Sequence, residues 1–175
     1  MENRYSGGAI AYHWIMAVLI GFLWIQGYAI DLGPNATKAW WVNLHSAVGV
    51  IATLALFGRI AWRVGHRPPD LPTGTTPLVR ISSHAVHMLL YALMLVICIS
   101  GFLNIFARGR GIDFGFFQFP AIMASDRAIT RPADTAHKYL AYATFALTIL
   151  HILAALWHQL FLKDHLLLRM MPGKK

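Results

Sequence analysis

Apolar residues dominate four stretches of this chain, each long enough to cross a bilayer as a helix of about 20 residues. The first covers about 9–30 and stops at Asp31-Leu32-Gly33-Pro34, a helix-ending signal. The second covers about 41–62 and precedes a loop carrying Pro68, Pro69, Pro72 and Pro77. The third covers about 83–106 and leads into a connection with Gly109, Gly111 and Gly115. The fourth, about 134–162, is the longest and is predicted to tilt or to project beyond the membrane. The pattern predicts an all-α fold, a transmembrane four-helix bundle forming one integral membrane domain over 1–175. No internal repeat is evident, and the loops are too short for a second domain. The aromatic segment 114–120 is too short to span. It is expected to lie along the outer surface or to cap the mouth of the bundle.

Composition agrees with a lipid setting. The chain has 175 residues, 57% of them hydrophobic and only 13% charged, with a mean hydropathy of +0.53. A soluble domain averages about 25% charged residues. The net charge of +8 is scattered between the apolar runs, which fits a lipid headgroup interface and not nucleic acid. An even number of spans puts both termini on one side, together with Arg4, Arg59, Arg63, Arg67, Arg80, Lys163, Arg169, Lys174 and Lys175. The other side carries Lys38, Arg108, Arg110, Arg127, Arg131 and Lys138, so the termini are predicted to be cytoplasmic. Trp40, Trp41, Trp62 and Trp157 suit interfacial belts. Cys98 stands alone in an apolar run and reads as a small core residue. Glu2 precedes the first basic residue and no small-residue cleavage site stands out, so the first span is expected to be retained.

Ionisable side chains inside a span are costly and point to function. His137 and His151 lie fourteen residues apart, about four helical turns and about 21 Å, on nearly the same face. His45 sits four residues inside the outer end of the second span and His137 three residues inside that of the fourth. Both are about 5 Å deep, so they match. His151 lies about 25 Å from the outer end of its span, a level shared by His13 on the first span and His87 on the third. Depth alone leaves both as partners for His151. His84 falls one turn nearer the cytoplasm, and His158 extends the face of His151 to the inner membrane edge. His66 and His165 fall outside the spans and read as structural.

Haem takes one imidazole above and one below the porphyrin, from different helices at equal depth. Zinc needs three or four ligands converging on one point, whereas these histidines occupy two levels. The pattern therefore predicts two haems in the bundle core, an established place for such cofactors. Gly49, one turn after His45, can make room for a porphyrin edge or serve close helix packing. Arg59, Arg63 and Arg80 can pair with haem propionates or act as positive-inside residues.

The opening Met1-Glu2-Asn3-Arg4-Tyr5-Ser6 leading to His13-Trp14 resembles the bacterial cytochrome b561 family. So do His45, the pair His84 and His87, the set His137, His151 and His158, and the closing Leu167-Leu168-Arg169-Met170-Met171-Pro172. The resemblance covers essentially the whole chain. It implies a four-helix bundle in the bacterial inner membrane with two b haems, His13 paired with His151 near the cytoplasm and His45 with His137 near the periplasm. It leaves His87 and His158 for ubiquinone at the inner haem and implies superoxide as the periplasmic electron donor. Histidine titrates near neutral pH and suits proton donation to a quinone. Bis-imidazole ligation leaves no open iron position, which favours outer-sphere electron transfer. For an anionic donor, Lys38, Arg108, Arg110, Arg127, Arg131 and Lys138 can supply steering, partly cancelled by Asp31, Asp113, Asp126 and Asp134. A second reading is a haem b anchor and electron-relay subunit of a dehydrogenase or hydrogenase, and a third is a transporter with a histidine proton relay.

Overall fold

The computed structural model describes residues 4–71 and 74–173. Pro72 of the proline loop, Lys174 and Lys175 of the basic side, and the opening Met1-Glu2-Asn3 lie outside the described residues. Four long helices, α1 Gly7–Leu32, α2 Asn35–Gly65, α3 Pro77–Ala107 and α4 Arg127–Trp157, each hold one of the apolar stretches. All four are long and apolar enough to span a membrane.

The helix starts follow from local chemistry. The Ser6 hydroxyl accepts from the Ala9 N–H at 3.4 Å and also receives the indole N–H of Trp62 at 3.0 Å. The Thr76 hydroxyl caps α3 at Val79, just ahead of Pro77 at the first helical position. The Asp126 carboxylate takes the Ala128 N–H at 2.8 Å and starts α4 seven residues before the apolar stretch begins. Pro132 lies near that start, and the Thr130 hydroxyl nearby donates to the Ala107 carbonyl at 2.8 Å.

The other end of α4 departs from the expectation of a regular helix to residue 162. The α-helix ends at Trp157 and continues as a π turn over His158–Leu162. Lys163 (φ 54°) and His165 (φ 60°) then adopt left-handed backbone, which non-glycine residues seldom hold. The chain folds back and carries Asp164 onto the ring of His158. Helical periodicity cannot foresee an extra residue in one turn.

The helices pack as two close antiparallel pairs, α1 on α2 and α3 on α4, with α2 also touching α3. Met16, Leu56 and Met94 form one buried cluster, and Ala47, Ile105 and Ile112 form another. Val18, Leu54, Ile81 and Leu153 point outward, while Gln26, Ser100 and Thr144 are buried. Apolar outside with polar and small groups inside is the distribution a lipid-facing bundle requires.

Short loops close both ends, the one with the α3–α4 connection being called outer and the one with the described chain ends inner. Between α3 and α4 two short strands, β1 Ile112–Asp113 and β2 Gln118–Phe119, pair antiparallel. Ile112 is sealed against the bundle, whereas Phe116 at the hairpin tip is 92% exposed. The segment 114–120 thus sits at the outer end as an exposed aromatic hairpin. At the inner end Arg169 is buried and donates to the Asp70 carbonyl at 2.6 Å, and the indole of Trp14 donates to the Met170 carbonyl at 2.8 Å. The C-terminal segment thereby fastens the proline loop to α1.

Candidate functional site

Four of the predicted histidines meet in two pairs, and both pairs use α4. At the outer level His45 of α2 faces His137 of α4, with ring centres 6.1 Å apart and planes inclined 81°. At the inner level His13 of α1 faces His151 of α4 at 6.3 Å and 65°. His87 of α3 flanks the same His151 ring at 5.3 Å. Two imidazoles on opposite sides of one metal, with metal–nitrogen bonds of about 2 Å, stand about 6 Å apart centre to centre. The outer pair and the pair of His13 with His151 have that separation. His87 lies closer to His151 than that.

The proton on each ring decides which nitrogen is free. His137 Nδ1 lies 3.1 Å from the Ile97 carbonyl, which can only accept, so Nδ1 carries the proton and Nε2 keeps its lone pair. The Ser100 hydroxyl, 3.1 Å from the same nitrogen, donates to that carbonyl as well. At His13 the arrangement is reversed. Arg59 Nη2 approaches Nδ1 at 3.2 Å, and a guanidinium only donates, so the ring proton sits on Nε2. Ligation through Nε2 therefore requires Arg59 to turn aside. Arg59 Nε also donates to the Tyr91 hydroxyl at 3.0 Å, with its charge 5.4 Å from the Tyr91 ring centre.

Two glycines lie near the outer pair. A methyl group on Gly49 would meet nothing within 4 Å. On α3, a methyl group on Gly101 would sit 3.1 Å from Cε1 of His137, so glycine there leaves that ring its place. His45 is half-buried, yet its Nδ1 is sealed and has no partner in the protein. Between the two levels Trp24 of α1 stacks on Phe145 of α4 at 3.7 Å, so α1 and α4 also meet through aromatic side chains.

His158 is brought to neither pair. Its Nδ1 contacts the Asp164 carboxylate at 2.5 Å, and seven helical residues separate it from His151 by about 10 Å. His84 is exposed, and His66 stacks flat on Trp62. Arg59 and Arg63 line a small inner-end pocket with Tyr12, Trp62 and Tyr91. Several of these contacts escape sequence reading. Asp164 becomes a partner of His158 only through the π turn and the left-handed residues after it. Ser100, Gly101 and Trp24 lie in apolar runs where a small or aromatic residue carries no signal of its own.

Comparison with known proteins agrees with this architecture. The profile of the family described as prokaryotic cytochrome b561 matches residues 4–173. The chain is 32% identical over 174 residues to cytochrome b561 homolog 2 of Escherichia coli (strain K12), covering 97% of this chain and 92% of that one. It is 30% identical over 177 residues to the probable superoxide oxidase CybB of Yersinia pestis, covering 100% and 99%. It is 28% identical over 179 residues to cytochrome b562 of Cereibacter sphaeroides, covering 97% and 96%.

Proposed function

Because the chain belongs to the prokaryotic cytochrome b561 family, a family of b-type membrane cytochromes, we propose that it moves electrons from periplasmic superoxide to ubiquinone at the cytoplasmic side of the bacterial inner membrane. In this reading it is one integral membrane domain with cytoplasmic termini. Two superoxide anions each lose one electron and become two molecules of oxygen. One ubiquinone gains those two electrons and two protons and becomes ubiquinol. The observation that carries the reading is the pair of facing imidazoles at each of two depths, both pairs sharing α4. The printed name of the Yersinia pestis relative, probable superoxide oxidase, supports the choice of donor.

Bound b haem supplies a one-electron couple at each level. The side chains supply the rest. His45 and His137 would hold the outer group, and His13 and His151 the inner one, a choice that the 6.3 Å separation favours over the 5.3 Å of His87. Haem held by two imidazoles would supply outer-sphere electron transfer. Arg59, once turned from His13, becomes a cation beside the inner site, suited to a propionate. His87 and His158 stand at the cytoplasmic end, where quinone needs protons.

The purified chain should show a reduced-minus-oxidised spectrum with two b-type components, and superoxide should drive ubiquinol formation without any other subunit. Absence of a b-type band would overturn the haem assignment. A relay subunit of a dehydrogenase or hydrogenase would show the same bands yet form no ubiquinol from superoxide.

Charge at the outer end sharpens the steering idea. Arg108 is held by Asp134 at 3.1 Å and Lys138 by Asp31 at 3.3 Å. Among the described residues Lys38, Arg110, Arg127 and Arg131 are exposed and have no carboxylate partner. Replacing Arg110, Arg127 and Arg131 by glutamine should slow superoxide-driven haem reduction about 10-fold at low ionic strength. The difference should shrink at physiological salt, where the Debye length is about 8 Å. Equal rates for the two proteins at low salt would remove these residues from the donor path.

A further inference from the structure

Gln26 is the anomaly of α1. It lies inside a membrane-spanning helix, is only 1% exposed, and neither its carboxamide oxygen nor its nitrogen has a hydrogen-bond partner. An apolar side chain would fill the same place at no polar cost, whereas an unsatisfied buried amide loses its hydration with nothing in return.

The register of α1 against α2 says what stands opposite. Tyr12 lies against Gly58, His13 bonds Arg59, and Met16 packs on Leu56. Continuing that antiparallel register along α1 carries Gln26 to the level of His45. His45 has the complementary defect, a buried Nδ1 with no partner. Its counterpart across the outer level, His137, already has the Ile97 carbonyl on its Nδ1. One ring of the outer pair is thus provided for and the other is not. By that register the sealed carboxamide falls at the depth of the unprovided ring.

We propose that Gln26 is a positioning residue for the outer haem: with His45 on iron through Nε2, the Gln26 carboxamide oxygen accepts the Nδ1–H of His45. The inference rests on the haem reading above. A ligating histidine that donates its second N–H to a fixed acceptor is held in one tautomer and orientation and becomes a stronger electron donor. A stronger donor favours the oxidised iron and lowers the midpoint potential. The competing acceptor is the Trp41 carbonyl, one turn back on α2, in the manner of His66 with the Trp62 carbonyl at 3.1 Å.

The test is a potentiometric titration of the full-length chain with its haems, the outer component being the one lost in H45A. Gln26→Met keeps the volume and removes the acceptor. It should raise the outer midpoint by an amount equal to about a tenfold change in the reduced-to-oxidised ratio, about 59 mV for one electron, and leave the inner midpoint unmoved. Pulsed EPR should show a changed coupling of the remote His45 nitrogen. Gln26→Glu keeps an acceptor oxygen and should hold the outer midpoint at or below wild type. It also carries the test should Gln26→Met fail to assemble. A Gln26→Met protein with both components, an unmoved outer midpoint and an unchanged nitrogen coupling overturns the role of Gln26 and leaves the haem reading standing. In Gln26→Glu, an outer midpoint raised above wild type has the same meaning. A wild-type chain without b-type bands, or an H45A chain that keeps both, overturns the haem reading itself.

Discussion

Replacing His151 by alanine is expected to halve the haem bound per chain and to abolish ubiquinol formation, while superoxide still reduces the component that remains. His13→Ala should reproduce this loss. His45→Ala and His137→Ala should each remove the other component and with it reduction by superoxide. His87→Ala should keep both components. The last result separates the two partners that depth leaves open for His151. The ring of His87 is already 5.3 Å from that of His151, and that of His13 is 6.3 Å away. The wider gap is the nearer to the spacing of about 6 Å that two metal–nitrogen bonds of about 2 Å would set. Because α4 places a histidine in each pair, a change at either end of that helix should leave the other level loaded. Difference spectra and haem extraction on purified variants measure this directly. A His87→Ala chain that loses the inner component, with His13→Ala keeping it, would exchange the two assignments.

Much of this arrangement is legible before any coordinates, because in a membrane depth is counted in residues. A span has a start, a helix rises about 1.5 Å per residue, and histidines at equal counts from one surface must stand level. That arithmetic brings His45 to His137 and narrows the partner of His151 to His13 or His87. It fails where the backbone leaves the regular helix. The π turn at His158–Leu162 and the left-handed Lys163 and His165 bring Asp164 to His158, and no count of residues contains that contact. It fails again for lateral neighbours. Ser100 and Gly101 touch His137 because α3 packs closely on α4, and the burial of Gln26 is likewise a matter of neighbouring elements. Depth is one-dimensional, and the second coordinate comes from packing.

The dyad of His158 and Asp164 carries the second large expectation, on the proton side of the reaction. A quinone that receives two electrons must also receive two protons, and it must receive them where the electrons arrive. His158 is only partly exposed, with 18% of its side chain accessible, and its Nδ1 is held by the Asp164 carboxylate at 2.5 Å. The carboxylate keeps that nitrogen protonated and leaves Nε2 as the atom that can pass a proton onward. Lys163 and His165 keep Asp164 in place through backbone conformations that non-glycine residues rarely adopt, a feature that gathers at functional sites. His158→Gln is therefore expected to slow reoxidation of the reduced chain by a soluble ubiquinone analogue about 100-fold, the ordinary yield of a positioned acid. Asp164→Asn should slow it less, because the imidazole remains and only its orientation and charge partner are lost. Neither change should alter the haem content or the rate at which superoxide reduces the haems, because the nearest paired histidine, His151, lies about two turns away along α4. Stopped-flow absorbance separates the two half-reactions. Unchanged reoxidation in His158→Gln would move proton delivery to His87, which stands against His151 at the inner level.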